Sequence, residues 1–244
     1  MRCVAERPAS EQSPIVRRGP RQHAPSLDTT VRRCNLLRMT YDRAYWERVW
    51  AKTLRDHPDK VAQRPPNAQL IAEIASLRPG RALDAGCGHG AETLWLAAHG
   101  WEVTAVDFAA SALAHARSMA EALGPDIAER IAWVEGDLAV WTPPRHHFDL
   151  VACLYVHVEG LVDEMVRRLA SGVASGGTLF MVGHRPIDPA TGKPTAAASQ
   201  VQVSVESAVA GLDPSGWELV VAEERPRAVP GAGVDAVILA RRVT

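Results

Sequence analysis

Apolar residues recur at helical spacing in two segments near the start of the patterned part of the chain. In segment 41–54 they form one aromatic and aliphatic stripe: Tyr41, Tyr45, Trp46, Val49, Trp50 and Leu54. In the second segment Asn67 can cap a helix that runs to Leu77, and Pro79-Gly80 then ends it. The pattern predicts two amphipathic helices joined by a proline-containing loop.

Short apolar runs and helical patterns alternate over the rest of the chain. The predicted strands lie at about 81–85, 102–106, 131–135, 147–153, 178–183, 217–223 and 234–241. The helices predicted between them lie at roughly 90–99, 109–123, 160–171 and 204–212. Strands that alternate with helices predict an α/β fold with a mostly parallel sheet covered on both faces.

Composition describes a globular protein, but its charge is unevenly distributed. The 244 residues are 47% hydrophobic and carry a net charge of −1. Residues 1–40 hold eight arginines and three acids, a balance of +5, which leaves −6 for the rest. Residues 1–38 lack apolar periodicity, so we expect a disordered basic leader, with Met39 as a candidate translation start and 39–244 as the domain.

The same composition limits compartment and partners. No run approaches the ~18–20 apolar residues of a membrane helix. The four cysteines form no CxxC pair, which disfavours zinc and disulfides and favours the cytoplasm. An acidic domain lacks the positive footprint of a nucleic-acid binder, so a small-molecule partner is expected and the choice between monomer and homodimer stays open. Three lysines against 24 arginines are typical of a G+C-rich bacterial genome.

A glycine loop follows the first predicted strand and opens the next helix. Residues 81–90 read RALDAGCGHG, with glycines at positions 86, 88 and 90. Glycines permit a tight turn and let a ligand approach the backbone. In an open parallel sheet this turn lies at the carboxyl ends of the strands, where ligands bind, so it predicts a nucleotide-like cofactor.

Three acidic residues favour S-adenosylmethionine over NAD(P) as the nucleotide-like cofactor. Gly86, Gly88 and Ala91 also satisfy the dinucleotide fingerprint, which keeps an NAD(P)-dependent oxidoreductase as an alternative. However, an acid lies near the carboxyl end of each of the first three strand patterns: Asp84 at the mouth of the turn, Asp107 at the end of the second strand and Asp137 after the third. A carboxylate suits the ammonium group of S-adenosylmethionine, a second suits its ribose hydroxyls, and a third suits its adenine amino group beside Leu138. The set therefore favours S-adenosylmethionine.

The ordered motifs resemble those of one family. They are LDAGCGHG at 83–90, Val106-Asp107, Gly136-Asp137-Leu138, FDLV at 148–151 and ASGGTLF at 174–180. Over about 67–243 the sequence resembles the class I S-adenosylmethionine-dependent methyltransferases. Segment 96–103, LAAHGWEV, is similar to their small-molecule branch, which includes tellurite-resistance and thiopurine-type enzymes.

The resemblance implies a Rossmann-like sheet and a set of cofactor contacts. It implies seven strands in the order 3-2-1-4-5-7-6, the last antiparallel. It also implies that Asp84 and the glycines hold the methionine part, Asp107 the ribose, and Asp137 with Leu138 the adenine. The predicted cofactor site comprises Asp84, Gly86, Cys87, Gly88, Gly90, Asp107, Phe108, Asp137 and Leu138.

Acceptor-side residues are expected after the fourth and fifth strands. His157, with Tyr155 beside it, is a candidate base or substrate contact, although His157 could instead cap or pack beneath the next helix. His184 is a third catalytic candidate, and Arg185 could hold an anionic substrate, although both could be plain loop residues.

The N-terminal segment 39–66 carries the aromatic stripe, which could simply be core packing. It could also be a lid, since the resembled family places a lid there, and Tyr41, Tyr45 and Trp46 are then its candidate substrate contacts. Loop 185–203 is a second candidate cover and is expected to be mobile. No Asn/Asp-Pro-Pro-Tyr/Phe or Pro-Cys run follows the fourth strand, which disfavours the amino-methylating DNA and glutamine enzymes and the cysteine-using cytosine enzymes. No metal-binding carboxylate cluster is evident, so no metal is expected. We predict a small-molecule methyltransferase that releases S-adenosylhomocysteine; a non-catalytic S-adenosylmethionine-binding protein remains a further alternative.

Overall fold

The computed structural model describes residues 41–157, 160–188, 191–195, 201–227 and 233–244. The predicted leader 1–38 and the candidate start Met39 lie outside these residues, as does part of loop 185–203. Among the described residues, no helix combines the length and apolar character needed to cross a membrane. The same residues contain no group of three or more His, Cys, Asp or Glu side chains placed to hold a metal ion.

Seven strands form one sheet in the order β3-β2-β1-β4-β5-β7-β6. They are β1 Arg81–Ala85, β2 Glu102–Asp107, β3 Ile131–Glu135, β4 Phe148–Leu154, β5 Val173–His184, β6 Trp217–Pro226 and β7 Val234–Arg242. Strand β7 is antiparallel to β5 and β6, and the other pairs are parallel. The predicted sheet and its order are confirmed.

The helices cover both faces of this sheet. They are α1 Arg43–Asp56, α2 Pro58–Ala62, α3 Ala68–Ile74, α4 Ala91–Ala98, α5 Ala110–Leu123, α6 Pro125–Ala128, α7 Val162–Ser171 and α8 Val205–Gly211. Alternate residues of β1 enter different cores, since Leu83 packs with Met165 of α7 and Ala82 packs with Leu96 of α4. The strand period of two therefore gives each face its own apolar layer.

Several elements differ from the sequence prediction, among them the unpredicted helix α6. The predicted loop at 56–66 contains α2, because Pro58 occupies the first helical turn, where its fixed φ and missing N–H are tolerated. Helix α3 ends at Ile74 instead of Leu77. Strand β5 begins at Val173, five residues before the predicted 178, and its pairing with β4 is irregular between Phe148 and Leu150.

Helix α1 lies beside the carboxyl end of β2. Asp42 caps it by accepting a hydrogen bond from the backbone N–H of Tyr45 at 2.7 Å. Arg43 Nη1 donates to the carbonyl oxygen of Phe108 at 2.9 Å, and Glu47 accepts from the backbone of Ser111 at 3.3 Å. None of the residues in α1 is fully buried. The helix therefore lies over the sheet edge without forming part of its core.

Candidate active site

A cavity of about 680 Å³ opens at the carboxyl ends of β1, β2, β4 and β5. This volume lies within the range of small-molecule sites, roughly 300–1,000 Å³. Of the predicted cofactor residues, seven line it: Asp84, Gly86, Cys87, Gly88, Asp107, Phe108 and Leu138. Its other half is lined by aromatic and polar side chains, among them Trp46, Trp50, Asn67, Tyr155, His157, His184, Arg227 and Asp235.

The glycine loop presents bare backbone to the cavity. The backbone N–H groups of Gly86 and Cys87 both donate to the carbonyl of Val106, at 2.8 and 3.1 Å, and so tie the loop to β2. Gly88 has φ of +51°, and a Cβ there would lie 2.7 Å from Trp50 Cζ2. The position therefore excludes other residue types both by its conformation and by the space it has.

Asp107 is held in place before any ligand binds. One carboxylate oxygen accepts from the backbone N–H of Gly88 at 2.9 Å, and the other from that of Ala109 at 2.8 Å. Burial raises the pKa of this carboxyl, against the lowering effect of these backbone hydrogen bonds. Each oxygen of a carboxylate has a second lone pair, so Asp107 can also accept from two hydroxyl groups in the cavity.

Asp84 is a buried acid whose charge lacks compensation. It is 2% exposed, and Thr93 Oγ1 donates to it at 2.5 Å. Burial first, and then the charge of Glu92, raise the pKa of Asp84 to about 7. Burial likewise raises the pKa of the Cys87 thiol, which stays protonated at neutral pH. A positively charged ligand next to Asp84 would stabilise its ionised form and offset the cost of burying that charge.

Two predicted cofactor residues lie outside the cavity lining. The Asp137 carboxylate accepts from the backbone N–H of Ala139 at 2.9 Å and so caps a local turn. Its neighbours Gly136 and Leu138 do line the cavity. Gly90 is the N-cap residue of α4, behind the lining. In this structure Leu138, rather than the Asp137 carboxylate, reaches the cavity wall.

The α1 aromatics pack against His157. The His157 ring stacks on Tyr41 and Trp46, with centroids 5.2 and 5.1 Å apart. Tyr45 packs edge-on against both aromatics, at 5.1 and 5.3 Å. The side-chain nitrogen of Gln202 lies 2.6 Å from His157 Nε2. Of these residues Trp46 and His157 line the cavity, and the two tyrosines support them.

Tyr155 has a rare backbone conformation at the end of β4. Its φ is +56°, a left-handed value that an aromatic residue seldom adopts. The hydroxyl donates to Asp235 Oδ2 at 2.8 Å and accepts from Asn67 Nδ2 at 2.8 Å. Burial, followed by the charge of Asp235, raises the pKa of Tyr155, so the hydroxyl remains a donor. Surrounding contacts thus maintain a strained residue at the cavity wall.

His184 belongs to the same polar group. Its Nδ1 lies 2.9 Å from Asp235 Oδ1, and its Nε2 lies 2.6 Å from Arg227 Nη2. Sequence reasoning missed both Asp235 and Arg227. A lone carboxylate in the apolar run of β7 was a signal for Asp235, whereas nothing local distinguished Arg227.

Arg185 points to other partners. It forms ion pairs with Glu224 at 2.5 Å and with Glu206 at 3.8 Å, and it is not among the residues that line the cavity. The structure therefore pairs Arg185 with carboxylates. The arginine that contacts the His184 ring is Arg227.

Comparisons with known proteins relate the chain to methyltransferases. Residues 82–177 match the family model of a methyltransferase domain, and this segment holds the glycine loop, Asp84 and Asp107. The chain is 31% identical over 139 residues to ribosomal RNA small subunit methyltransferase C of Alcanivorax borkumensis, covering 53% of this chain and 40% of that protein. It is 29% identical over 199 residues to thiocyanate methyltransferase 1 of Arabidopsis thaliana, covering 80% of this chain and 82% of that protein.

A solved structure shares the fold. The N-methyltransferase NodS from Bradyrhizobium japonicum, in complex with S-adenosylhomocysteine, aligns with a TM-score of 0.63 at 18% identity, over 82% of this chain and 99% of that one. Residues 82–177 therefore carry a methyltransferase domain, and the seven-stranded sheet has the fold of solved S-adenosylmethionine-dependent methyltransferases. The chain spans 40% of the length of the ribosomal RNA methyltransferase and about half the length of the ubiquinone biosynthesis O-methyltransferases that it also matches. These matches agree with the predicted family, activity and cofactor.

Proposed function

We propose that the protein transfers the methyl group of S-adenosylmethionine to a small-molecule acceptor. One observation carries this proposal: the glycine loop with Asp84 and Asp107 shares a single cavity with the aromatic and polar side chains near β4, β5 and β7. Methyl transfer is an in-line displacement, which requires donor and acceptor to be aligned in one volume. Bound S-adenosylmethionine supplies an electrophilic methyl group there, and the product is S-adenosylhomocysteine.

The cofactor roles rest on the fit of the residues present. Asp84 would receive the ammonium group, which supplies the positive charge that its buried carboxylate lacks. Asp107 would receive the ribose hydroxyls through its remaining lone pairs. Phe108 and Leu138 line the cavity and would flank the adenine, with Asp137 within the turn that positions Leu138. Gly88 has no Cβ, which lets the Trp50 ring approach the loop closely at the cavity wall.

Helix α1 would act as the cover of the acceptor half. Trp46 and Trp50 line the cavity, and no residue of α1 is fully buried, so the helix can move at little cost to the core. An apolar cover excludes water from the reacting atoms. Tyr41 and Tyr45 would then hold the Trp46 indole against His157.

A small acceptor fits the charge and the relatives. Residues 41–244 carry a balance of −6, which disfavours a polyanionic substrate. The relative named for ribosomal RNA is matched over 40% of its length, whereas the relative named for thiocyanate is matched over 82%. Cys87 and Cys153 are free, buried thiols, which fits a reducing cytoplasm.

Binding and turnover together test this function. We expect calorimetric titration to show binding of S-adenosylhomocysteine and none of NADH. We then expect methyl transfer from labelled S-adenosylmethionine to at least one thiol, amine, phenol or chalcogen oxyanion. Tight NADH binding without S-adenosylhomocysteine binding would contradict the function. Binding without turnover would indicate a non-catalytic sensor, and methylation of ribosomal RNA alone would replace the small acceptor.

A further inference from the structure

Four side chains at the acceptor end of the cavity form what we call the Asp235 network: Asp235, His184, Tyr155 and Arg227. Asp235, on β7, is 1% exposed and lies within hydrogen-bond distance of the other three. Tyr155 Oη is 2.8 Å from Oδ2, while His184 Nδ1 and Arg227 Nε are 2.9 and 3.0 Å from Oδ1. All four residues line the cavity.

The partners of His184 determine where its proton lies. A carboxylate only accepts hydrogen bonds, so the Nδ1 that faces Asp235 carries the hydrogen. A guanidinium only donates, so the Nε2 that lies 2.6 Å from Arg227 Nη2 presents a lone pair. His184 is therefore a neutral imidazole whose basic nitrogen is engaged by a donor at the cavity wall.

We infer that His184 accepts the proton of the methyl acceptor, with Asp235 as its positioning partner, and that this acceptor is a thiol or a phenol. The inference rests on the proposed function. A thiol or phenol entering the cavity would take the place of Arg227 Nη2 at His184 Nε2. Arg227 would remain anchored to Asp235 through Nε and lie beside the developing anion.

The step balances in atoms and charge. The S–H or O–H proton passes to His184 Nε2, and the pair of electrons left on the acceptor atom forms its bond to the methyl carbon. The carbon–sulfur bond of the donor breaks, and its electrons neutralise the sulfonium. The Asp235 carboxylate stabilises the imidazolium until its proton leaves to water.

Tyr155 supports this arrangement without acting as a base. Its hydroxyl is committed to Asp235 as a donor, because Asn67 Nδ2 supplies the hydrogen bond that it accepts. Its ring lies against the His184 ring, with centroids 4.0 Å apart. Among the residues that the structure describes, the groups that face His184 are Asp235 from β7, Arg227 after β6 and Tyr155 after β4. The neutral Gln202 accepts from the His184 backbone N–H at 2.6 Å.

Nitrogen-15 NMR tests the proton position without an acceptor. We expect the His184 signals, assigned by their loss in His184→Gln, to show hydrogen on Nδ1 and a lone pair on Nε2. Asp235→Asn should move the proton toward Nε2, because an amide can also donate to Nδ1. A wild-type signal with hydrogen on Nε2 alone, or no change in Asp235→Asn, would overturn the inference.

Rates measured on thiols and phenols of decreasing pKa test the role itself. We expect His184→Gln and Asp235→Asn to keep S-adenosylhomocysteine affinity but to lower kcat/KM for weakly acidic acceptors by about 10²–10⁴-fold. The loss should shrink as the acceptor becomes acidic enough to ionise in water. With S-adenosylmethionine saturating at every pH, kcat/KM for the acceptor should fall toward acidic pH in wild type, and this dependence should disappear in His184→Gln.

His99→Gln is the matched control, since His99 is exposed at the end of α4 and does not line the cavity. It should leave kcat/KM unchanged. Equal slowing of His184→Gln on every acceptor, or turnover only of proton-free anions such as thiocyanate, would overturn the inference while leaving the proposed function intact. Absence of turnover with every acceptor would contradict both.

Discussion

The backbone N–H of Gly88 donates a hydrogen bond to Asp107 Oδ2 at 2.9 Å. This bond joins the glycine loop after β1 to the last residue of β2, two elements that are 19 residues apart along the chain. Because the second oxygen of Asp107 is held by Ala109, the carboxylate has one orientation before a ligand arrives. Such preorganisation removes an ordering cost from binding.

Asp107→Asn should weaken S-adenosylhomocysteine binding without unfolding the protein. The amide places an NH₂ group opposite a backbone N–H and loses the charge that the ribose hydroxyls would meet. Hydrogen bonds to charged groups are worth about 1.5–3 kcal/mol, so affinity should fall by about ten- to a hundredfold. Calorimetry measures it, with Asp126→Asn on exposed α6 as the control. Unchanged affinity would remove Asp107 from the ribose role.

Cofactor affinity should rise between about pH 6 and 8. The pKa of Asp84 is about 7, raised first by burial and then by Glu92, so part of the population is protonated at neutral pH. A cationic ligand group binds the ionised form better, so binding expels the proton. Titrations in buffers of different ionisation enthalpy should reveal this release at pH 7. Asp84→Asn should abolish it; a wild-type affinity independent of pH would contradict the prediction.

Ionisation of Asp84 should lower the stability of the free protein as pH rises, whereas it raises cofactor affinity. Its pKa is raised in the folded protein from 3.8 to about 7, so its stabilising contribution is complete below pH 3.8 and is lost as pH rises through 7. Asp84→Asn removes the buried charge and should therefore raise the melting temperature of the free protein at pH 8. The gain should shrink toward pH 5. A variant that melts below wild type at both pH values would contradict this reasoning.

Local sequence was enough to predict the cofactor half of the cavity but not the acceptor half. Asp84 and Gly88 lie in one strand-to-helix turn, and Asp107 ends the next strand, so spacing alone indicates that they meet. His184 and Asp235 are 51 residues apart and meet only because β7 pairs with β5 in the register His184–Asp235. Strand periodicity locates β7 but does not determine that register.

Arg185 shows the same limit for charged residues. Its position after β5 indicated an anion contact, but its partner Glu224 comes from β6, which reaches it through long-range sheet pairing. The left-handed φ of Tyr155 had no local signal either, because glycine and asparagine are the residues that usually mark such a position.

Trp46→Ala should reduce catalysis more than stability. Trp46 stacks on His157 at the cavity wall, but it belongs to a helix with no fully buried residue. We expect kcat/KM to fall by about tenfold or more, with a change in the free energy of unfolding near 1 kcal/mol. Trp95→Ala is the matched control, because Trp95 is also partly buried and stacks on His99 outside the cavity. Equal losses of melting temperature and cofactor binding in Trp46→Ala would instead place α1 in the core.

Gly90→Ala should destabilise the protein for two separable reasons. Gly90 has φ of +85°, which costs an L-residue roughly 1–2 kcal/mol, and a Cβ there would lie 2.8 Å from Ala116 Cβ in α5. Gly100→Ala isolates the first cost, because Gly100 has φ of +88° and its nearest atom would be 3.7 Å away. Chemical unfolding should therefore show a larger loss for Gly90→Ala than for Gly100→Ala.

Adding Ala116→Gly to Gly90→Ala should remove the steric clash but leave the backbone strain at position 90. The free energy lost by the double variant should then be smaller than the sum of the two single losses, by about 0.5 kcal/mol or more. Strict additivity would show that Gly90 does not approach α5 as closely as this structure indicates. It would leave φ as the reason why only glycine fits where α4 begins, directly behind the loop that faces the cofactor.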